Sequence, residues 1–132
     1  MILVDTSALF ALIDADDRNH GRAVSFWRHA DDLDLVCHGY VVFEAISLTR
    51  VRHGWSGVER LVDELLPRLR TAMVDAELHD EGLAAYRADR GGTSFVDRIT
   101  IAFARRHGIR EAFAFDRDLA AAGLPFPLKE RT

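Results

Sequence analysis

The segment SFVDRITIAFARRHGIREAFAFDRDL, residues 94–119, encodes a helix, a stop and a strand in succession. From Ser94 the apolar residues fall at helical spacing with Ile99 and Phe103 turned inward, and RRHG closes the helix by setting cationic side chains before a C-terminal Gly108. AFAF, Ala112 to Phe115, then reads as a short strand, with Asp116 directly after it. A helix feeding an apolar strand is half of a crossover unit, and crossover helices run antiparallel to the parallel strands they join. The helix therefore starts at the carboxyl edge of the sheet, and Asp97 and Asp116 share that edge.

The same alternation extends through the rest of the chain. Ile2 to Val4, Leu35 to Cys37 and Thr71 to Val74 are strand candidates, and a further short strand is expected around Leu128. Ala23, Phe26, Trp27 and Ala30 form one helical stripe, and Val58, Leu61, Val62, Leu65 and Leu66 form another that Pro67 ends or kinks. Further helices are expected from about Tyr40 to His53, stopped by Gly54, and from about Glu77 to Arg87. With no linker-like stretch to divide it, the chain reads as one α/β domain over residues 1–132, its central, mostly parallel sheet of four to five strands flanked by helices.

Composition bounds the function classes. A chain of 132 residues suits one core, and 48% hydrophobic with 29% charged residues is the balance of a globular domain. MILVDTSALF has no basic segment before it, and Asp5 interrupts it well short of the ~18 residues that a membrane span needs. It reads as a buried first strand, so a cytoplasmic protein without a membrane anchor is expected. The single Cys37 can form no internal disulfide or metal-binding pair and reads as a small core residue in a reducing compartment. The net charge of −4 argues against binding nucleic acid through a basic surface alone. Carboxylates that hold cations count as negative in that sum, so a metal-dependent nuclease stays within bounds. All but one of the 17 basic residues are arginine, Lys129 being the exception.

Four carboxylates converge on the same edge. Asp5 follows the first strand and Asp116 the fourth, Asp97 opens the helix between, and Glu44 lies in the second turn of the helix after the second strand. Ligands of open α/β sheets bind outside these strand ends. Each acid also has a plain structural explanation: Asp5 and Asp116 suit helix caps, and Ser94 with Asp97 forms a capping box. Glu44 is harder to explain so, because YVVFEAISL is apolar on both sides and an unpaired buried carboxylate is costly.

In this order, ILVDTSALFALI, GYVVFEAISLTR, SFVDRITIAFARRHGI and AFAFDRDL resemble PIN domains, in particular the VapC-type toxin ribonucleases of bacterial toxin–antitoxin pairs. The resemblance covers nearly the whole chain and implies a three-layer PIN-like fold. It implies that Asp5 with Thr6 is the first acidic motif, Glu44 the second, Asp97 with Ser94 the third and Asp116 the variable fourth, with Asp118 an extra or outer group. Arg98 departs from the small residue expected after the third acid. His20 also fits a position often held by His, and its place on the stripe of Ala23, Val24 and Trp27 favours a structural role. The resemblance further implies an RNA substrate, a cognate antitoxin whose C-terminal segment blocks the cleft, and a homodimer or toxin–antitoxin hetero-oligomer.

The chemistry agrees. Phosphodiester hydrolysis needs an activated water and relief of charge on phosphate, and divalent cations supply both. A shell of carboxylates without His or Cys pairs favours Mg²⁺ or Mn²⁺ over Zn²⁺. Without metal the clustered acids repel, so at least one is expected to hold a proton unusually tightly. Arg50, Arg52, Arg98 and Arg117 follow the motif acids and are candidates to hold RNA, although solvated helix faces explain them equally. A phosphoacceptor receiver domain is disfavoured because VDTSA has one acid and the only lysine is terminal, and a haloacid-dehalogenase-type phosphatase because Ser7 stands where a second Asp is needed. An RNA-processing PIN nuclease without an antitoxin, and a catalytically silent PIN-like binding module, are the remaining alternatives.

Overall fold

The structure, a computed structural model, describes residues 1–127. Strands β1 (Ile2–Val4), β2 (Leu35–His38), β3 (Arg70–Ala72) and β4 (Ala112–Phe113) lie in the order β3-β2-β1-β4, each neighbouring pair parallel. The strand expected around Leu128 falls outside the described residues.

Side chains alternate across a strand, and here the alternation builds two cores. Ile2 and Val4 of β1, with Leu35, Cys37 and Phe113, face α1 (Thr6–Ile13), α2 (His20–Arg28) and the first half of α3 (Gly39–Arg60). Leu3, Val36 and Ala112 face α4 (Ala76–Ala88), α5 (Phe95–His107) and α6 (Arg117–Ala121). The result is three layers, with helices on both faces of a fully parallel sheet. Among the described residues no helix is long and apolar enough to cross a membrane.

Element boundaries differ from the sequence expectation where local chemistry intervenes. α3 is broken at Gly54, whose φ of 69° and ψ of −162° only glycine adopts easily, so the two expected helices are contiguous but kinked. Pro67 lacks an N–H and its ring crowds the carbonyl four residues back. The chain opens before it into a π turn over Leu61–Leu65, where the Leu66 N–H reaches the Leu61 carbonyl, and then tightens into a 3-10 turn over Leu66–Arg68. β4 ends at Phe113 rather than Phe115, because the Phe115 N–H donates to the Ser7 hydroxyl at 2.9 Å instead of to a strand. β3 covers Arg70–Ala72, leaving Met73 and Val74 beyond the sheet.

Candidate metal centre

β1 and β4 are sheet neighbours whose connections leave in opposite directions, which opens a crevice outside their carboxyl ends. Asp5 enters it from the end of β1 as the N-cap of α1, accepting the Ser7 N–H at 3.1 Å and the Ser7 hydroxyl at 2.6 Å. Its own N–H donates to the Phe113 carbonyl, tying it to β4. Asp97 enters from the first turn of α5, where Ser94 caps the helix by accepting the Asp97 N–H at 3.1 Å. Asp116 caps α6, accepting the N–H groups of Asp118 and Leu119 at 2.8 and 3.1 Å. Carboxylate oxygens of these three residues lie within 4.8 Å of one another.

Asp5 is 3% exposed and Asp97 7%, while Asp116 is half-buried. Burial pushes Asp97 up to about 8, reinforced by the charge of Asp5 and by the hydrogen bond and charge of Asp116, and opposed by the Ser94 hydroxyl. Asp5 is raised too, again chiefly by burial, with the Ser7 bonds opposing and the charges of Asp116 and Glu44 adding. Both acids therefore hold a proton more tightly than a free aspartate, and desolvation ranks ahead of the expected repulsion as the cause. The donor set fits a hard divalent cation: carboxylate oxygens only, converging, with Asp5 and Asp97 destabilised as anions by burial. The hydroxyl oxygen of Thr6, the residue after Asp5, is buried without a partner among the described residues.

Residues 2–124 match the family model described as PIN domain. The chain belongs to the PIN domain family. It is 34% identical over 125 residues to the 23S rRNA-specific endonuclease VapC20 of Mycobacterium tuberculosis, covering 93% of this chain and 95% of that protein. The crystal structure of VapC20, described as a sarcin-ricin loop cleaving toxin, superposes with a TM-score of 0.83 at 32% identity, covering 94% of this chain and 96% of that one. FitAcB from Neisseria gonorrhoeae has the same fold, with a TM-score of 0.71 at 18% identity over 96% of this chain and 97% of that one.

Other residues singled out from the sequence are placed less uniformly in this PIN domain. Glu44 is half-buried rather than enclosed, which removes the argument from an uncompensated buried carboxylate. Its charge reaches Asp5, but it stands outside the three-carboxylate cluster. Asp118 is exposed in the first turn of α6 and serves Asp116 through its backbone. Arg50 and Arg117 are exposed, and Arg52 is exposed with its guanidinium 5.7 Å from the centre of the Phe10 ring. Arg98 pairs with Asp89 and lines a recess with Glu77, Glu81 and Arg106. His20 reaches the Ala11 carbonyl through Nδ1 at 2.7 Å, pinning the start of α2 to α1 in the structural role expected of it.

Ser7 was missed by sequence reasoning. It bridges Asp5 and the extension of β4, and its signal was its position two residues after a helix-capping acid. A second feature went unseen because its residues imitate a core stripe. This PIN domain has an apolar groove of about 1060 Å³ beside Glu44, where Phe43, Val51 and Met73 are 74%, 82% and 85% exposed.

Proposed function

We propose that this chain is a divalent-metal-dependent endoribonuclease that acts as the toxin of a toxin–antitoxin pair. The observation that carries the reading is the approach of Asp5, Asp97 and Asp116 to within 4.8 Å at the switch point of a parallel sheet. The likeness to VapC20 over almost the full length of both chains supports the substrate class.

In this reading Asp5, Asp97 and Asp116 hold Mg²⁺ or Mn²⁺, and Glu44 contributes from the groove side. A bound ion supplies charge relief at phosphate and lowers the pKa of a water. The protein's own residues prepare the site. Ser7 and the α1 backbone fix the Asp5 rotamer, Ser94 starts α5 so that Asp97 faces inward, and the first turn of α6 orients Asp116. Burial of Asp5 and Asp97 thins the solvent around the reacting phosphate, which strengthens each electrostatic contact there. Asp97 or Asp116 then accepts the proton of the attacking water. Arg50, Arg52 and Arg117 are the exposed cations proposed to hold the RNA strand, and the groove beside Glu44 supports a protein partner, the antitoxin, at the same mouth.

The test is to incubate the purified chain with 23S rRNA and with intact ribosomes in Mn²⁺ and to map new RNA ends. Cleavage abolished by a chelator and by Asp5→Asn supports the proposal. Cleavage that survives both, or none on any RNA tried, contradicts it.

A further inference from the structure

We infer that His38 and Thr100 are positioning residues: their hydrogen bond holds α5 against the end of β2 so that Asp97 meets Asp5 and Asp116. The inference rests on the proposed metal-dependent function. His38 is the last residue of β2 and the residue from which α3, the helix of Glu44, departs. It is 0% exposed, and its Nε2 lies 2.8 Å from the hydroxyl of Thr100, which is equally buried on α5.

The geometry links the acids through rigid elements. Thr100 follows Asp97 by three residues, which places the two on neighbouring parts of one helix face about 4.5 Å apart along the axis. β2 pairs directly with β1, whose end carries Asp5. Holding Thr100 to His38 therefore sets the height and rotation of Asp97 relative to Asp5. The apolar contacts of Ile99, Ile101 and Phe103 bury area without fixing direction, and they tolerate a small slide. A hydrogen bond does not, because it weakens steeply with angle and distance.

Stability alone does not account for this histidine. Its Nδ1 is buried without a partner among the described residues, and burial holds the ring neutral by pushing its pKa down to about 4. A buried unsatisfied polar group is destabilising, and an apolar side chain in the same space would avoid it. Phe103 and Tyr40 surround the ring at 5.8 and 6.1 Å between centroids, an environment suited to such a replacement.

The test is calorimetric titration of Mn²⁺ into the purified wild type, His38→Leu, Thr100→Val and Thr100→Ser, with melting temperatures measured beside it. A positioning role predicts that His38→Leu, which removes the unpaired Nδ1 but leaves the Thr100 hydroxyl without its partner, still folds yet binds Mn²⁺ about 10–100-fold more weakly, the range seen when groups that orient ligands are lost. Thr100→Val is predicted to lose affinity similarly, and Thr100→Ser to stay within about threefold of wild type by keeping the hydroxyl. Wild-type affinity in His38→Leu, or equal losses in Thr100→Val and Thr100→Ser, overturns the inference. Should Thr100→Val fail to fold, His38→Leu and Thr100→Ser decide it. A wild type that does not bind Mn²⁺ overturns the metal reading itself, a separate outcome that takes this inference with it.

Discussion

Ser7 donates its hydroxyl to the Asp5 carboxylate at 2.6 Å while accepting the Phe115 N–H at 2.9 Å, so one small side chain joins the acid at the end of β1 to the chain leaving β4. Ser7→Ala removes both bonds and leaves a backbone donor unpaired, a loss of about 1–3 kcal/mol. Because the Ser7 bonds hold the Asp5 pKa down against burial, the same variant raises it further. A urea midpoint and an NMR titration of the Asp5 carboxyl carbon check the two expectations independently.

Metal-free stability is expected to fall with rising pH. Folded Asp97 keeps its proton up to about pH 8, whereas an unfolded aspartate releases it near pH ~4. Between those values the folded chain binds the more protons, so raising the pH favours unfolding. The buried His38, held neutral with a pKa of about 4, opposes this up to about pH 6.5, so the melting temperature of chelator-treated protein should decline from about pH 6.5 to about pH 8. Asp97→Asn should flatten that dependence and melt higher than wild type at pH 8. A metal-free wild type that grows more stable over this range would refute the assignment of the proton.

Mn²⁺ binding should displace the same proton. Affinity is expected to rise with pH by close to tenfold per unit until about pH 8, with roughly one proton released at neutral pH. Calorimetry in buffers of different ionisation enthalpy measures the release directly.

Glu44 and Asp97 should separate in their effects. Asp97 belongs to the converging set, whereas Glu44 stands outside it and reaches Asp5 through its charge. Asp97→Asn is expected to reduce Mn²⁺ affinity at least 100-fold, and Glu44→Gln about tenfold or less. Equal losses would place Glu44 in direct contact with the ion.

Gly82 lets α4 lie against α5. A Cβ there would stand 2.3 Å from Ile99 Cδ1 and 3.3 Å from Ile99 Cα, and Ile99 is fully buried two residues from Asp97. Alanine gains about 1 kcal/mol in helix propensity, but overpacking of about 1–3 kcal/mol opposes it. Gly82→Ala should be destabilised in urea and weakened in Mn²⁺ affinity.

Much of this was legible before the structure. The short apolar run Ile2 to Val4, the helical stripe of α5 and the Gly108 stop made the order of elements readable, and the crossover rule put Asp5, Asp97 and Asp116 at one edge. The capping explanations hold as well: Asp5 and Asp116 cap helices and Ser94 caps α5, so the bonds that begin these helices also orient the acids. What escaped depends on three-dimensional neighbours. The apolar frame of Glu44 suggested enclosure, but Phe43 on its flank faces outward. Arg98 is adjacent to Asp97 in sequence, yet helical rotation turns it toward Asp89. The His38–Thr100 bond spans 62 residues, beyond any local pattern.

We propose that Asp5, Asp97 and Asp116 share a divalent cation. Anomalous diffraction from crystals grown with Mn²⁺ tests it most directly. A manganese peak in contact with all three carboxylates, lost in Asp97→Asn, is the expected result. Ordered but metal-free carboxylates at saturating Mn²⁺, or a peak confined to another part of the surface, would contradict it.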